Sequence, residues 1–280
     1  MQKKSRINKK IVAAAVVIVV VFLVLAINKN IKDRERERIT YDGLGEETEE
    51  QNYPVSGLNQ DYYFTDEFGF KGYDDGSTTY KRGIDVSEHQ GEIDWVKVKE
   101  AGVQFAYIRA GFRTYDHGNL REDICFRYNI ENAIANDIDV GVYFFSQAIN
   151  VEESIEEARF VVDLIKDYDI SLPVAHDMED IAWAASRIDI LDRDTKTEIA
   201  DAFCAIIENY GYDSIIYANA SWLLTELNIF KLSGRKIWLA NYTDKTLYPF
   251  RYEFWQYSDS GTIEGIPEKV DLDIMYIREE

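Results

Sequence analysis

The chain has 280 residues, 46% of them hydrophobic and 14% aromatic, with a net charge of −20. That length suits one large domain of about 200 residues plus extensions rather than two ordinary domains. Residues 1–38 carry ten Lys/Arg against three Asp/Glu, so −20 minus +7 leaves −27 on residues 39–280, which excludes a nucleic-acid binder that works by neutralising phosphates.

In chain order, the first feature is Ile11–Ile27, a run of apolar residues preceded by Lys3, Lys4, Arg6, Lys9 and Lys10. At about 1.5 Å per residue it reaches roughly 25 Å, the short end of a bilayer span. It exceeds the usual h-region of a cleaved signal, so residues 1–38 are expected to be a signal anchor with a charged juxtamembrane segment. The expected localisation is the cell membrane, single-pass, with the acidic domain outside. The alternative is secretion after cleavage. Residues 39–80 hold ten Asp/Glu and one Lys with no sustained period, and read as an acidic linker or loosely attached lead-in.

From residue 81 onward, strand-like and helix-like stretches alternate. Predicted strands are Lys81–Val86, Val103–Ala110, Val140–Ser146, Leu172–Glu179, Ser214–Asn219, Lys236–Asn241, Tyr252–Ser258 and Val270–Tyr276. Predicted helices are Trp95–Ala101, Glu122–Asn136, Val151–Tyr168, Arg193–Tyr210 and the shorter Ser221–Asn228, with Asp192 as a helix start. After Asn241 there is no room for full helices. About eight strands, with helices mainly in the first five units, predict an α/β fold: an irregular TIM-like β/α barrel over residues 81–280.

Four carboxylates stand out against that pattern. Asp85, Asp177, Glu179 and Asp271 each follow or lie within a short apolar run, where burying a carboxylate costs desolvation that packing does not offset. Their convergence on one site would push their pKa values apart, the arrangement that glycosidic cleavage uses. Asp177 and Glu179 point the same way on a strand, roughly 7 Å apart. In such barrels catalytic groups sit at the C-terminal ends of strands. Asp271 lies nearer the start of its own strand and fits less well, and Asp273 shares its face.

Tyr143, Tyr217, Trp238 and Trp255 sit at strand ends, where they either stack on sugar rings or pack the core. Arg109 ends the second strand and either offsets the acidic cluster or serves the surface. His176 alternates away from Asp177 toward the helix layer and is expected to be a hydrogen-bonded structural histidine. Cys125, Cys204 and three histidines show no metal-ligand spacing, so no metal is expected.

The string Gly83–Trp95 (GIDVSEHQGEIDW) resembles the opening motif of glycoside hydrolase family 25 muramidases. Similar stretches follow in the right order: FAYIRAG (105–111), VGVYFFS (140–146), LPVAHDME (172–179), IWLANY (237–242), FWQYS (254–258) and VDLD (270–273). The resemblance implies an irregular β/α barrel, no cofactor, and cleavage of the β-1,4 bond between N-acetylmuramic acid and N-acetylglucosamine in the glycan strands of peptidoglycan. It matches Glu179 to the general acid, Asp177 to its paired aspartate, and Asp85 and Asp271 to the remaining carboxylates. Two other readings stay open: a catalytically silent peptidoglycan-binding scaffold on the same fold, and a hydrolase of another N-acetylated glucan.

Overall fold

The computed structural model describes residues 54–181 and 185–278. The expected anchor and most of the lead-in lie outside the described residues, and no helix within them is long and apolar enough to cross a membrane.

Among the described residues, eleven strands and five α-helices follow in order: β1 (Tyr63–Thr65), β2 (Lys71–Tyr73), β3 (Thr79–Val86), α1 (Trp95–Glu100), β4 (Phe105–Arg113), β5 (Leu120–Glu122), α2 (Phe126–Ala135), β6 (Asp139–Phe145), α3 (Val151–Ile165), β7 (Val174–Asp177), α4 (Arg193–Asn209), β8 (Ser214–Asn219), α5 (Ala220–Thr225), β9 (Lys236–Ala240), β10 (Phe254–Gly261) and β11 (Val270–Ile277). The eight predicted strands are the eight staves of a closed barrel, β3-β4-β6-β7-β8-β9-β10-β11, sealed by β11 against β3. Seven staves run parallel. The last, β11, is antiparallel to both neighbours.

The helices form where sequence and caps agree. Asn150 accepts from the Glu153 amide to start α3, and Asp192 accepts from the Thr195 amide to start α4. Their apolar faces bury Val161, Ile165, Phe203 and Ile207 against the outer side of the staves. The predicted helix over 122–136 begins later, at Phe126. Leu120–Glu122 is instead drawn onto the extended end of β4 as a short antiparallel strand.

An aromatic cluster fills the barrel beneath the mouth. Phe105, Tyr107, Trp238 and Phe254 meet there, with Tyr107 stacked on Trp238 at 4.2 Å between ring centroids. Space is made by glycine: a Cβ at Gly83 would lie 2.2 Å from the Phe105 ring, and one at Gly141 2.5 Å from Tyr107.

The late staves lack full helices, and the described part of the lead-in covers them instead. The β1–β2 hairpin lays Tyr63 edge-on against Trp255 at 5.2 Å, and the Tyr63 and Tyr276 hydroxyls are 2.8 Å apart. Phe68 receives the Arg82 guanidinium at 4.4 Å, and Val55 bridges to Phe250.

Candidate active site

The mouth of the barrel holds a pocket of about 130 Å³ lined by Asp85, Tyr143, Asp177, Glu179, Tyr217, Trp238, Tyr242, Gln256 and Asp271. All four predicted carboxylates meet there. Asp85 lies near the end of β3, Asp177 ends β7, and Glu179 follows two residues later. The reversed direction of β11 resolves the poor fit of Asp271. A strand running the other way presents its beginning at the mouth, and Asp271 stands directly opposite Asp85 in the register.

No Lys, Arg or His is among the residues lining this pocket, so burial and mutual repulsion act on its carboxyls with little relief. Glu179 is pushed up to about 7, chiefly by burial. Asp177 is raised by burial, then by Glu179 and Asp85. Asp85 is raised by burial and by Asp273, against a hydrogen bond from Gln256. Asp271 is pushed up to about 9 by burial and Asp85. Acids this crowded do not ionise independently, and the upward shifts mean that they share protons rather than all being charged.

Asp273, one pleat below Asp271, is completely buried. It accepts the Trp238 indole N–H at 2.8 Å and is pushed up to about 8 by burial. Its Oδ2 has no hydrogen-bond partner among the described residues.

Two pocket residues went unread in the sequence. Gln256 orients Asp85: the Tyr217 and Tyr242 hydroxyls both donate to its Oε1 at 2.8 Å, which turns its amide N–H toward Asp85 Oδ2 at 2.6 Å. The pleat of β10 was the available signal, since Phe254 and Gln256 share the face opposite Trp255.

Of the predicted sugar-contacting residues, Tyr143, Tyr217 and Trp238 line the pocket. Trp238 is nearly fully buried and stacked beneath, so it forms the floor and leaves no open face for stacking. Trp255 is a correction: it is fully buried, faces the hairpin on the outside of the barrel, and donates to the Asn241 carbonyl at 2.8 Å. Arg109 is a second correction. It is buried and held by Asp123 at 2.7 Å and Glu88 at 2.9 Å, outside the pocket lining, and it acts on Asp177 only through its field. His176 does face the helix layer, with its ring 5.0 Å from that of Phe203. Neither ring nitrogen has a hydrogen-bond partner among the described residues, which corrects the expected hydrogen bonding, and burial lowers its pKa to about 3. It packs as a neutral ring. Both cysteines are free thiols.

The profile of glycosyl hydrolases family 25 matches residues 84–266. Lysozyme M1 of Streptomyces globisporus is 29% identical over 204 residues, covering 69% of this chain and 67% of that protein. The autolytic lysozyme of Clostridium acetobutylicum is 26% identical, covering 69% and 55%. Among solved structures, the modular autolysin LytC of Streptococcus pneumoniae, in complex with a synthetic peptidoglycan ligand, superposes with a TM-score of 0.62 at 26% identity, covering 77% of this chain and 52% of that one. The chain thus spans about half the length of two of these three relatives.

Proposed function

This chain belongs to glycosyl hydrolases family 25, and from that premise we propose that it is a lysozyme, an N-acetylmuramidase cleaving the β-1,4 bond between N-acetylmuramic acid and N-acetylglucosamine in peptidoglycan. The observation that carries the reading is the pocket itself: four carboxylates face one small cavity whose lining has no cation to neutralise them. A fold under no functional demand has little use for so costly a cluster. The names of the relatives, two lysozymes and an autolysin with a peptidoglycan ligand, point the same way.

In this reading Glu179 is the general acid. Held neutral up to about pH 7 by burial, it protonates the leaving glycosidic oxygen. Asp177, whose Oδ1 has no partner among the described residues, accepts the N–H of the substrate acetamido group and turns its carbonyl oxygen toward the anomeric carbon. This substrate assistance is an established exception to two-carboxylate hydrolysis. Two successive displacements at the anomeric carbon, by the acetamido oxygen and then by water, leave the anomeric configuration retained. Asp85 and Asp271 hold the attacking water, while burial keeps the acid neutral. Retention at a membrane is a separate part of the proposal, supported by the apolar run Ile11–Ile27 and its flanking cations.

The test is digestion of purified peptidoglycan by wild type and Glu179→Gln, with mass spectrometry of the new reducing ends. N-acetylmuramic acid ends from wild type alone are expected. Equal, near-zero release from both with retained wall binding makes the protein a scaffold, and N-acetylglucosamine ends reassign the cleaved bond. Membrane fractionation of the full chain reads the anchor.

A further inference from the structure

Beside the central pocket lies a second, larger depression of about 580 Å³, lined by Thr65, Gly69 and Lys71 of the hairpin and by Tyr242, Thr243, Asp244, Tyr257 and Ser258 of the barrel. One residue, Tyr242, lines both cavities. The far wall of this groove comes from the β1–β2 hairpin, which precedes the residues matched by the family profile. It is therefore a feature of this chain's own lead-in.

The lining is suited to a carbohydrate. Tyr242 is half exposed, and its hydroxyl is tied down to Gln256 at 2.8 Å, which leaves a rigid aromatic edge at the boundary of the two cavities. Around it stand the hydroxyls of Thr65, Thr243 and Ser258. Lys71 is the single cation lining either cavity among the described residues. Its ammonium group is held in place by the Asp244 carbonyl at 2.7 Å and by the ring of Trp255 at 4.8 Å, so binding a hydroxyl or acetamido oxygen costs little further side-chain ordering. The backbone at Lys71 is fixed as well, its amide donating to the Tyr257 hydroxyl at 3.0 Å. A preorganised amine, hydroxyl groups and an aromatic ring together match the polar edge and apolar face of a pyranose ring.

We propose that this groove is an additional sugar subsite, in which the lead-in hairpin and the barrel grip a further N-acetylated sugar unit of the glycan strand beyond those in the central pocket. It rests on the glycan-hydrolase reading above. The strand passes Tyr242 as it leaves the mouth, and the unit in the groove adds affinity without touching the reacting atoms. Its contribution therefore appears only with substrates long enough to reach it.

Two variants of the full chain test this: Lys71→Met, which removes the amine but keeps an aliphatic stem over Trp255, and Thr65→Trp, which fills the groove from an exposed position. Each is assayed on a peptide-free tetrasaccharide spanning the scissile bond and on long peptide-free glycan strands, with thermal midpoints measured alongside. For long strands, kcat/KM is expected to fall about tenfold through KM, the size of one lost charge-assisted contact, with the tetrasaccharide unchanged. An equal fall on both substrates, or no fall on either, would overturn the subsite. Wild type that cleaves neither substrate removes the hydrolase reading, and the subsite with it. Wild type that cleaves both while the variants behave as wild type removes the subsite alone.

Discussion

Two clusters of buried acids sit on opposite sides of the same staves, and they differ in what meets their oxygens. On the helix side, Glu157 is completely buried, yet its carboxylate receives Arg113 Nε at 2.7 Å and the Ser146 hydroxyl at 2.6 Å. Arg113 also binds Glu156 at 2.7 Å, and Arg187 holds neighbouring Glu153 at 2.7 Å. At the mouth, Glu179 and its companions face a cavity with no cation in its lining. Burial lifts both Glu157 and Glu179 to about 7. A raised pKa alone therefore does not tell a structural acid from a reactive one. The partners do: one carboxylate is consumed by its neighbours, the other is left for a substrate.

The sharpest way to break the comparison is to neutralise one acid of each kind. Glu179→Gln should cost about 10³-fold in kcat, the scale of a lost general acid, while leaving the thermal midpoint unchanged or slightly higher because a desolvated acid is gone. A large fall in that midpoint would make Glu179 structural. Arg113→Met should do the reverse. Stranding Glu157 in the core should remove about 3 kcal/mol of stability in urea unfolding, with the pH profile of the remaining folded enzyme unchanged. A shifted profile would tie the helix-side cluster to the chemistry.

Next in size is the response to pH. Glu179, Asp273 and Asp271 have folded pKa values of about 7, 8 and 9, above the roughly 4 of unfolded carboxylates. Between those limits the folded state binds more protons than the unfolded one, so stability falls as pH rises. Exposed acids held by hydrogen bonds, such as Asp75 with the Thr78 and Ser77 amides, shift downward and lose their contribution only below pH 4. Stability should therefore peak near pH 5 and decline steadily toward pH 9. Activity should fall tenfold per unit above about pH 7 as the acid ionises. Stability that climbs from pH 5 to pH 9 would contradict this placement of the acids.

The smallest effect belongs to Asp273. Protonated below about pH 8, it resembles an amide, so Asp273→Asn should stay within about twofold of wild type at pH 6 and depart only in the basic range. A tenfold loss at pH 6 would mean that Asp273 works as an anion.

Much of this was legible in the residues. Eight apolar runs became eight staves because buried parallel strands read as continuous hydrophobic stretches. Asp177 and Glu179 were brought to one pocket as the alternation of side chains requires. The same property hid the rest. Where both faces of a stave are buried, residue type does not say which face a side chain takes, so Trp255 was read as facing the site when its neighbour Gln256 does. Strand direction was equally silent: nothing in VDLD announces that β11 runs backward, and only that reversal brings Asp271 to the mouth. Residues 39–80 read as linker because they lack a period, yet Tyr63 and Tyr73 make contacts across the chain, on late staves with no helix of their own.

The reversed last stave also sets the timing of activity. The barrel seals only when Val270–Ile277 pairs with Thr79–Val86, a closure between nearly the first and the last residues of the domain, and such distant contacts form late. A chain still under synthesis, or one cut short before Val270, has neither a sealed barrel nor Asp271. The order of translation thus leaves the pocket incomplete until Val270–Ile277 has been made and paired.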